Sequence, residues 1–380
     1  MKYSIIGCGR ISSHHIESAQ KNKLDIIGLC DLDINKAYEL AKKYNLDSAI
    51  CYDNYKDMIN DLLKKKILYQ EDFKKNFFTS VTTDSGSHFV IAKYLLSNSI
   101  NTLCEKPITL SLKECDELIE ISNKNDLIFG VCQQNRLNNS SQLLKKAIDS
   151  GAFGKISHAS VCVRWCRGKE YYSQDSWRGK WLSDGGAMMN QCIHGVDLSR
   201  WLMGNDVESM YSVIANQQHD YLEVEDLGVA IVKFKSGTIL TIEGTTNIYD
   251  DNLEETIAIF GENGTVKLSG EVAENIVYWK FKDTKVNNWI KDIKEVNYSS
   301  VYGDGHSRIF ENIILAIKSH TTPYVDAIAG RNALENILAM YESYFTKKLV
   351  KFPLSNECST KKYINYNLSK SNFMKKPLNM

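Results

Sequence analysis

The sequence lacks a charge bias, a paired-cysteine motif and any long apolar run. Its 380 residues carry 46 basic and 46 acidic side chains, so the formal net charge is zero. Such a chain has no long-range field to gather a polyanion or an anionic membrane surface. Neither nucleic acid nor membrane is therefore expected as a partner. The ten cysteines include no C-x-x-C pair. Several lie in apolar runs, such as Cys30 in IIGLCD and Cys162 in ASVCVRW, and read as buried free thiols of a reducing compartment. No apolar stretch approaches the roughly 18 residues of a spanning helix. The chain opens on KYSIIGCGRI, already a strand and a turn rather than a secretory leader. These absences together predict a cytoplasmic protein. No compact His/Cys/Asp cluster has metal-ligand spacing, so no metal is expected, and no internal repeat is visible.

What is present is an alternation of apolar strands and amphipathic helices. Residues 3–7 form a short apolar run ending in glycine, and a helical pattern follows from about Ser12 to Lys21. LDIIGLCD (24–31) is apolar almost throughout rather than alternating, as a strand covered on both faces requires. A charged helix at 34–44, strands at Phe77–Thr83, Thr102–Glu105 and Ile128–Cys132, and helices at 87–97 and 111–124 continue the series. This order predicts a doubly wound parallel sheet. The stretch 58–76 is long for a connection and leaves its boundaries open. From about residue 155 the rhythm changes. ISHASVCVRW, LGVAIVKF, TILTIEG, ETIAIFG and TVKLSG are closely spaced strands, with KSG and GENG as turns. They predict a large, mostly antiparallel open sheet, with helices at 187–203, 307–319 and 330–346. The fold class is α/β, with domains at 1–133 and 134–354. A polar tail, 355–380, is expected to be poorly ordered.

Gly7-Cys8-Gly9-Arg10-Ile11-Ser12 reads G-x-G-x-x-S between the first strand and the first helix. Gly7 permits a tight turn, and Gly9 lets a pyrophosphate approach the backbone. Ser12 is small enough for close helix–strand packing. Phosphates would sit at the positive end of the helix. Asp31 ends the next strand, about 24 residues beyond Gly7, where an acid accepts from adenosine ribose hydroxyls. Its charge repels a 2′-phosphate, and Leu32 and Asp33 after it supply no arginine. The first domain therefore reads as a Rossmann domain that binds NAD in preference to NADP.

Cys104-Glu105-Lys106-Pro107 closes a strand of that sheet, at the end where ligands bind. Pro107 biases Lys106 away from helix and keeps its ammonium at the strand mouth. Between Asp184 and Gly204, Asn190, His194, Asp197 and Trp201 follow i, i+4, i+7 and i+11, one face of a helix. Met189, Ile193, Val196, Leu198 and Leu202 flank it. A polar stripe with a histidine suits a pocket floor, although a hydrogen-bonded core histidine gives the same pattern.

G-C-G-R-I, then E-K-P, then G-G-x-x-x-N-Q-x-I-H-x-x-D resemble, in order, the pattern of the Gfo/Idh/MocA oxidoreductases over about residues 1–354. Tyr171-Tyr172, Trp177-Arg178-Gly179, Asn190-Gln191, Glu225-Asp226 and Tyr302 to His306 look closest to its nucleotide-sugar 3-dehydrogenases of the WlbA type. Those act on UDP-N-acetylglucosaminuronic acid in cell-surface polysaccharide synthesis. The resemblance implies Lys106 and His194 as catalytic residues, NAD as cofactor, and a second domain that also serves assembly into dimers or tetramers. The cofactor set expected with it is Gly7, Gly9, Arg10, Ile11, Asp31, Thr83, His88, Glu105 and Lys106. Chemistry agrees: oxidising a sugar alcohol needs a hydride acceptor, a base and a cation for the developing alkoxide. His194 suits the base and Lys106 the cation, or the reverse. Many members carry Asp where this chain has Asn190, so an Asp–His dyad is excluded at that position.

The substrate set expected is Arg164, Arg167, Tyr172, Trp177, Arg178, Asn190, Gln191 and His306, with Tyr302 beside it. A uronate carboxylate or diphosphate needs bidentate donors, and Tyr172 and Trp177 suit a sugar or uracil ring. A dehydrogenase of a free sugar or inositol shares the catalytic motif, and a non-catalytic NAD-sensing regulator shares the fold. Intact Lys106 and His194 favour an enzyme. Asp31 yields a direct test: kcat/KM with NAD exceeds that with NADP, and an equal or better value with NADP overturns the assignment.

Overall fold

The computed structural model describes residues 1–64, 73–293 and 305–369. The chain divides into two units: Met1–Asn138 with Asn297–Asn332, and Asn139–Val296 with Ala333–Met380.

Among the described residues the first unit holds six strands: β1 (Lys2–Ile6), β2 (Asp25–Cys30), β3 (Ile50–Tyr52), β4 (Phe77–Val81), β5 (Asn101–Cys104) and β6 (Phe129–Val131). All pair in parallel, in the order β3-β2-β1-β4-β5-β6. The order reverses between β1 and β4, so the glycine turn after β1 opens at a topological switch point. Every position of β4 is buried, which is why it reads as a run rather than an alternation. The polar Ser4 and Thr79 within β1 and β4 satisfy each other at 2.9 Å. The short β3 carries no such run and is not announced by the sequence.

A segment from the last quarter of the chain returns to this unit. The helix Gly305–Ser319 places Ile309, Phe310, Ile313 and Ile317 in one core with Tyr3, Ile16 and Phe78. Phe310 meets both Tyr3 and Phe78 edge-on. Beyond it, the Val325 carbonyl accepts the Val131 N–H, and Asp326 bridges to Gly130, which covers the edge of β6. The expected boundary at 133/134 therefore differs in two ways. The first segment runs to Asn138, and a later segment ending at Asn332 belongs with it, because its apolar face completes this core.

The second unit holds β7 (Ile156–Arg164), β8 (Val207–Ala215), β9 (Leu227–Phe234), β10 (Ile239–Thr245), β11 (Glu254–Gly261), β12 (Gly264–Ser269), β13 (Asn275–Phe281) and β14 (Val350–Lys351). Their order is β13-β12-β11-β7-β10-β9-β8-β14. Only β7 and β10 pair in parallel; the other pairs are antiparallel, as expected. β9 alternates strictly: Gly228, Ala230, Val232 and Phe234 are buried, while Val229, Ile231 and Lys233 are exposed. The helix Ile193–Met203 lies on the buried face, where Gly195 sits so close to Val161 and Val163 that a side chain would collide.

Three expectations are corrected here. The helix expected over 187–203 is two helices, Ala187–Asn190 and Ile193–Met203. The Cys192 N–H bonds to the Ala187 carbonyl, one residue wider than an α-helical turn, and this shifts the phase between Asn190 and His194. The helix expected at 330 begins at Ala327, because the Asp326 side chain accepts the Ala329 N–H at 2.8 Å. The tail expected to be poorly ordered is packed as far as Ser369. Thr360, Tyr363 and Leu368 are buried, Phe345 stacks on Tyr363, and the Trp181 indole donates to the Tyr366 carbonyl. In the 58–76 stretch, helices occupy Tyr55–Lys64 and Phe73–Asn76, and 65–72 lies outside the described residues, as does the tail beyond 369.

The helix Ile193–Met203 is tied down by a buried ion pair. Arg200 donates to Glu335 at 2.9 Å and to Asn336 at 2.9 Å, and Glu335 also accepts the Leu354 N–H at 3.0 Å. Glu335→Ala strands the guanidinium in the core, so stability falls by about 3–5 kcal/mol in urea unfolding. A loss below about 1 kcal/mol would show that water reaches Arg200.

Candidate active site

In the first unit, the turn after β1 is shaped for a close backbone approach. Gly7 has φ of 101°, and a Cβ there would come within 2.6 Å of the Thr82 carbonyl group. Gly9 faces open space instead. The helix Ser12–Lys21 starts at once, its buried Ser12 hydroxyl donating to the Gly9 carbonyl at 2.5 Å. The half-buried Asp31 is locked to the same turn: Oδ2 accepts the Cys8 N–H at 2.8 Å and Oδ1 the Asp33 N–H at 2.9 Å. Arg10 is exposed, and Ile11 and Thr83 are half-buried at the rim. Bare glycine backbone, a helix N-terminus and a fixed acid fit a dinucleotide, with Asp31 for the ribose.

The E-K-P turn follows β5, and its Lys106–Pro107 bond is cis. Glu105 is buried, and Oε1 accepts from His15 Nε2 at 2.9 Å and from His306 Nε2 at 3.1 Å. Its Oε2 accepts the Lys106 N–H at 3.1 Å. Burial alone would push this carboxyl up, but the two imidazole donors outweigh burial and hold it well below the usual carboxylate range. Burial lowers His15, so a neutral ring donates to an ionised acid. On the other side of the turn, His88 places Nδ1 2.8 Å from the Pro107 carbonyl and Nε2 3.2 Å from the Thr83 carbonyl. Lys106 itself is half-buried.

Three sequence expectations change accordingly. Glu105 and His88, expected against the cofactor, are buried and engaged by the protein's own donors and carbonyls. His306, expected in the substrate wall, belongs to the first unit and bonds Glu105. Tyr302 lies outside the described residues. Donor atoms of His15, Glu105, Cys132 and His306 converge within 4.8 Å of one another, the one such group among the described residues. Hydrogen bonds account for its histidine–glutamate contacts.

The second unit gathers most of the expected substrate residues into one network. Arg167 donates from Nε to Gln191 Oε1 at 2.8 Å, and from Nη1 to the Cys166 carbonyl at 2.6 Å and Asn252 at 2.8 Å. Gln191 Nε2 donates to the Tyr171 hydroxyl at 2.9 Å and to Asn190 Oδ1 at 2.7 Å. Arg178 donates to the same Tyr171 hydroxyl at 2.5 Å and to Asp175 at 3.1 Å. Its guanidinium lies 4.3 Å from the Tyr171 ring centre and 4.4 Å from that of Trp177. Tyr172 is buried, its hydroxyl 3.2 Å from Thr246 Oγ1. Tyr171 is the hub, and sequence reading missed it as a site residue. Its signal was its place in the Tyr171-Tyr172 pair.

Buried acids hold this region from below. Asp184 accepts the Gly179 N–H at 2.7 Å and a short bond from the Asn190 amide. Asp226 accepts backbone N–H groups of Gln217, Gln218 and His219 together with the His219 ring. Glu225 accepts the Met188 N–H at 3.0 Å and the Tyr341 hydroxyl at 2.9 Å, beneath Gly186, where a Cβ would overlap its carboxyl. His194 and Asp197 are buried on the helix Ile193–Met203. Trp201, on the same helix, takes Lys145 over its ring. Arg164 departs from the expected substrate set. On β7 it pairs with Glu243 at 2.7 Å and Glu254 at 2.5 Å, carboxylates of the neighbouring strands β10 and β11.

Comparison with known proteins agrees with these two halves. Residues 1–133 match an oxidoreductase family with an NAD-binding Rossmann fold, and residues 141–267 match the GFO/IDH/MocA C-terminal domain. The WlbA dehydrogenase of Chromobacterium violaceum, solved with NADH and UDP-GlcNAcA, is 32% identical with a TM-score of 0.82, covering 93% of this chain and 96% of its own. The WlbA dehydrogenase of Bordetella pertussis, with the same ligands, is 30% identical with a TM-score of 0.79, covering 93% and 99%. The myo-inositol 2-dehydrogenase of Thermotoga maritima is 24% identical over 359 residues, 92% of this chain and 98% of its own.

Glu225 gives this region a pH dependence. Burial, opposed by hydrogen bonds from its own backbone N–H, Tyr341 and Met188, pushes its carboxyl up from 4.5 to about 8. Between those values the folded chain holds a proton that the unfolded chain has lost, so this group's contribution to stability falls as pH rises through the window. Glu225→Gln keeps both acceptor contacts but cannot ionise. Its stability relative to the parent therefore rises from pH 5 to pH 8 in denaturant titrations, and parallel curves would show that Glu225 titrates normally.

Proposed function

Because the chain belongs to the Gfo/Idh/MocA family of NAD-binding oxidoreductases, we propose that it oxidises C3 of a nucleotide sugar like UDP-N-acetylglucosaminuronic acid. NAD supplies the hydride acceptor. The observation that carries the substrate reading is the Arg167–Gln191–Tyr171–Arg178 network, two guanidinium groups and two aromatic rings held on one set of loops. A carboxylate or diphosphate matches guanidinium forks, and Trp177 and Tyr172 suit a ring. A free polyol has no charge for them to meet. The two WlbA structures, at 30% and 32% identity, support the same substrate class. The setting this reading suggests is the synthesis of cell-surface polysaccharide.

In this reading Gly7, Gly9, Arg10, Ile11, Asp31 and Thr83 seat the dinucleotide. His194 takes the hydroxyl proton, and the Lys106 ammonium stabilises the alkoxide as the hydride leaves; exchanged roles satisfy the same chemistry. Asn190 does not serve as base. Its amide is spent on Asp184 and its carbonyl on Gln191, so it orients the latter. Arg164 has no part in binding, since two carboxylates already hold it. The exposed face of the large sheet, with Tyr211, Val213, Val229, Ile231 and Ile239, suits contact with a second copy of the chain, as a homodimer or homotetramer. Ten free cysteines suit a reducing cytoplasm. No helix among the described residues is long and apolar enough to cross a membrane.

A second reading, oxidation of inositol or a free sugar, is favoured by the inositol dehydrogenase that matches across almost the full chain. Calorimetry in the presence of NAD separates the two. UDP and UDP-N-acetylglucosaminuronic acid each release heat, UDP competes with substrate, and Arg167→Ala or Arg178→Ala raises KM about 10–100-fold. His194→Ala abolishes turnover while UDP still binds. No heat from either nucleotide, with turnover of myo-inositol, establishes the second reading instead.

A further inference from the structure

Glu105 is buried where strand β5 ends, and among the described residues every donor it meets lies in the first unit. Oε1 takes the rings of His15, from the helix Ser12–Lys21, and His306, from the helix Gly305–Ser319. Oε2 takes the backbone N–H of Lys106. The far side of the same turn is braced by His88 at the Pro107 carbonyl. Three buried imidazoles from three helices thus fix the two peptide units that flank Lys106. None of them is needed to close the sheet, whose strands already pair.

The approach of His306 is itself built. Gly305, just before it, leaves so little room that a Cβ would come within 2.7 Å of the Gln134 side chain. His14 stacks on the His306 ring from the other side, with centroids 5.9 Å apart. A buried carboxylate with one donor removed is costly, so the ring that supplies it governs how firmly the acid stays in place.

We propose that His306 is a positioning residue for Lys106: with His15 it anchors the Glu105 carboxylate, which in turn holds the backbone that presents Lys106. This rests on Lys106 being a reacting group, as proposed above. Misplacement of a reacting group by about 1 Å costs on the order of a hundredfold in rate, which a rigid anchor prevents. A segment distant in sequence thereby sets the geometry of the E-K-P turn.

The test compares His306→Leu, which removes the donor at similar bulk, with His306→Gln, whose amide can still donate, in the full-length protein. Each variant is read by kcat and by KM for NAD, with UDP-N-acetylglucosaminuronic acid or myo-inositol as substrate. Each is also read by the pH profile of Lys106 modification with trinitrobenzenesulfonate, followed by mass spectrometry, which needs no turnover. The expected result is a fall in kcat of about tenfold or more for His306→Leu, with KM for NAD within about twofold. Its Lys106 labelling profile shifts, and His306→Gln restores both towards the parent. Parental kcat and labelling in His306→Leu overturn the proposal. So does an equal loss in both variants, which marks His306 as packing only. One equivalent of bound metal in the purified protein also overturns it, because the Nε2 atoms would then face an ion rather than donate to Glu105. Lys106→Ala separates this from the reading beneath it. Parental turnover there removes Lys106 from the chemistry, while the labelling comparison still decides whether His306 positions it.

Discussion

A carboxylate buried at a strand mouth must find its N–H donors inside the protein, and Glu105 imposes that demand on the whole first unit. Leaving such a charge uncompensated costs several kcal/mol, far more than a single loop can absorb. The donors therefore come from separated parts of the chain. His15 reaches Oε1 only because the helix Ser12–Lys21 begins directly after the glycine turn, with Ser12 buried against it. His306 reaches the same oxygen only because the returning helix lies in the core beside Tyr3 and Phe78. The helix after the glycine turn, the E-K-P turn and the returning segment thus meet at one acid.

The second unit repeats the device with neutral and charged acids. Asp184 and Asp226 are matched by backbone N–H groups, which tighten the loops around Gly179 and Gln217. Glu225 works differently. Its carboxyl presses against Gly186 and caps Met188, so the short helix Ala187–Asn190 starts from a buried acid and not from a side chain of its own N-terminus. The wide turn that follows sets Asn190 towards Asp184 and leaves Gln191 to reach Tyr171. Two of the acids in the floor of this network, Asp184 and Asp226, are paired with several donors each and are expensive to unpair.

Features governed by nearby residues were legible in the sequence. The G-x-G-x-x-S turn, the apolar strands and Asp31 follow from backbone conformation and burial, which local composition reports directly. The alternation of β9 was equally plain. Features set by distant partners were not. Arg164 reads as an anion donor until Glu243 and Glu254, 79 and 90 residues further on, are seen beside it. His306 reads as a pocket wall, but its partner is 201 residues away. The helical phase from Asn190 to His194 fails for the same reason, since Glu225 and the wide turn at Cys192 set it. Tyr171 was overlooked because the Tyr171-Tyr172 pair does not show which donors, Gln191 and Arg178, converge on its hydroxyl.

What a guanidinium can still recognise depends on who already holds it. Arg164 is held by two carboxylates, so its charge is cancelled and no anion gains by approaching it. Arg178 is partly cancelled by Asp175 and spends its faces on Tyr171 and Trp177. Arg167 is held by an amide oxygen of Gln191, an amide oxygen of Asn252 and the Cys166 carbonyl, all neutral. These acceptors fix its orientation without removing its charge. Over a chain of zero net charge, a cation held only by neutral acceptors is the group in this network that an anion such as the proposed substrate's would meet. On the proposed substrate reading Arg167 is accordingly the primary charge contact in this network, and Arg178, its faces taken by Tyr171 and Trp177, serves chiefly to order those rings.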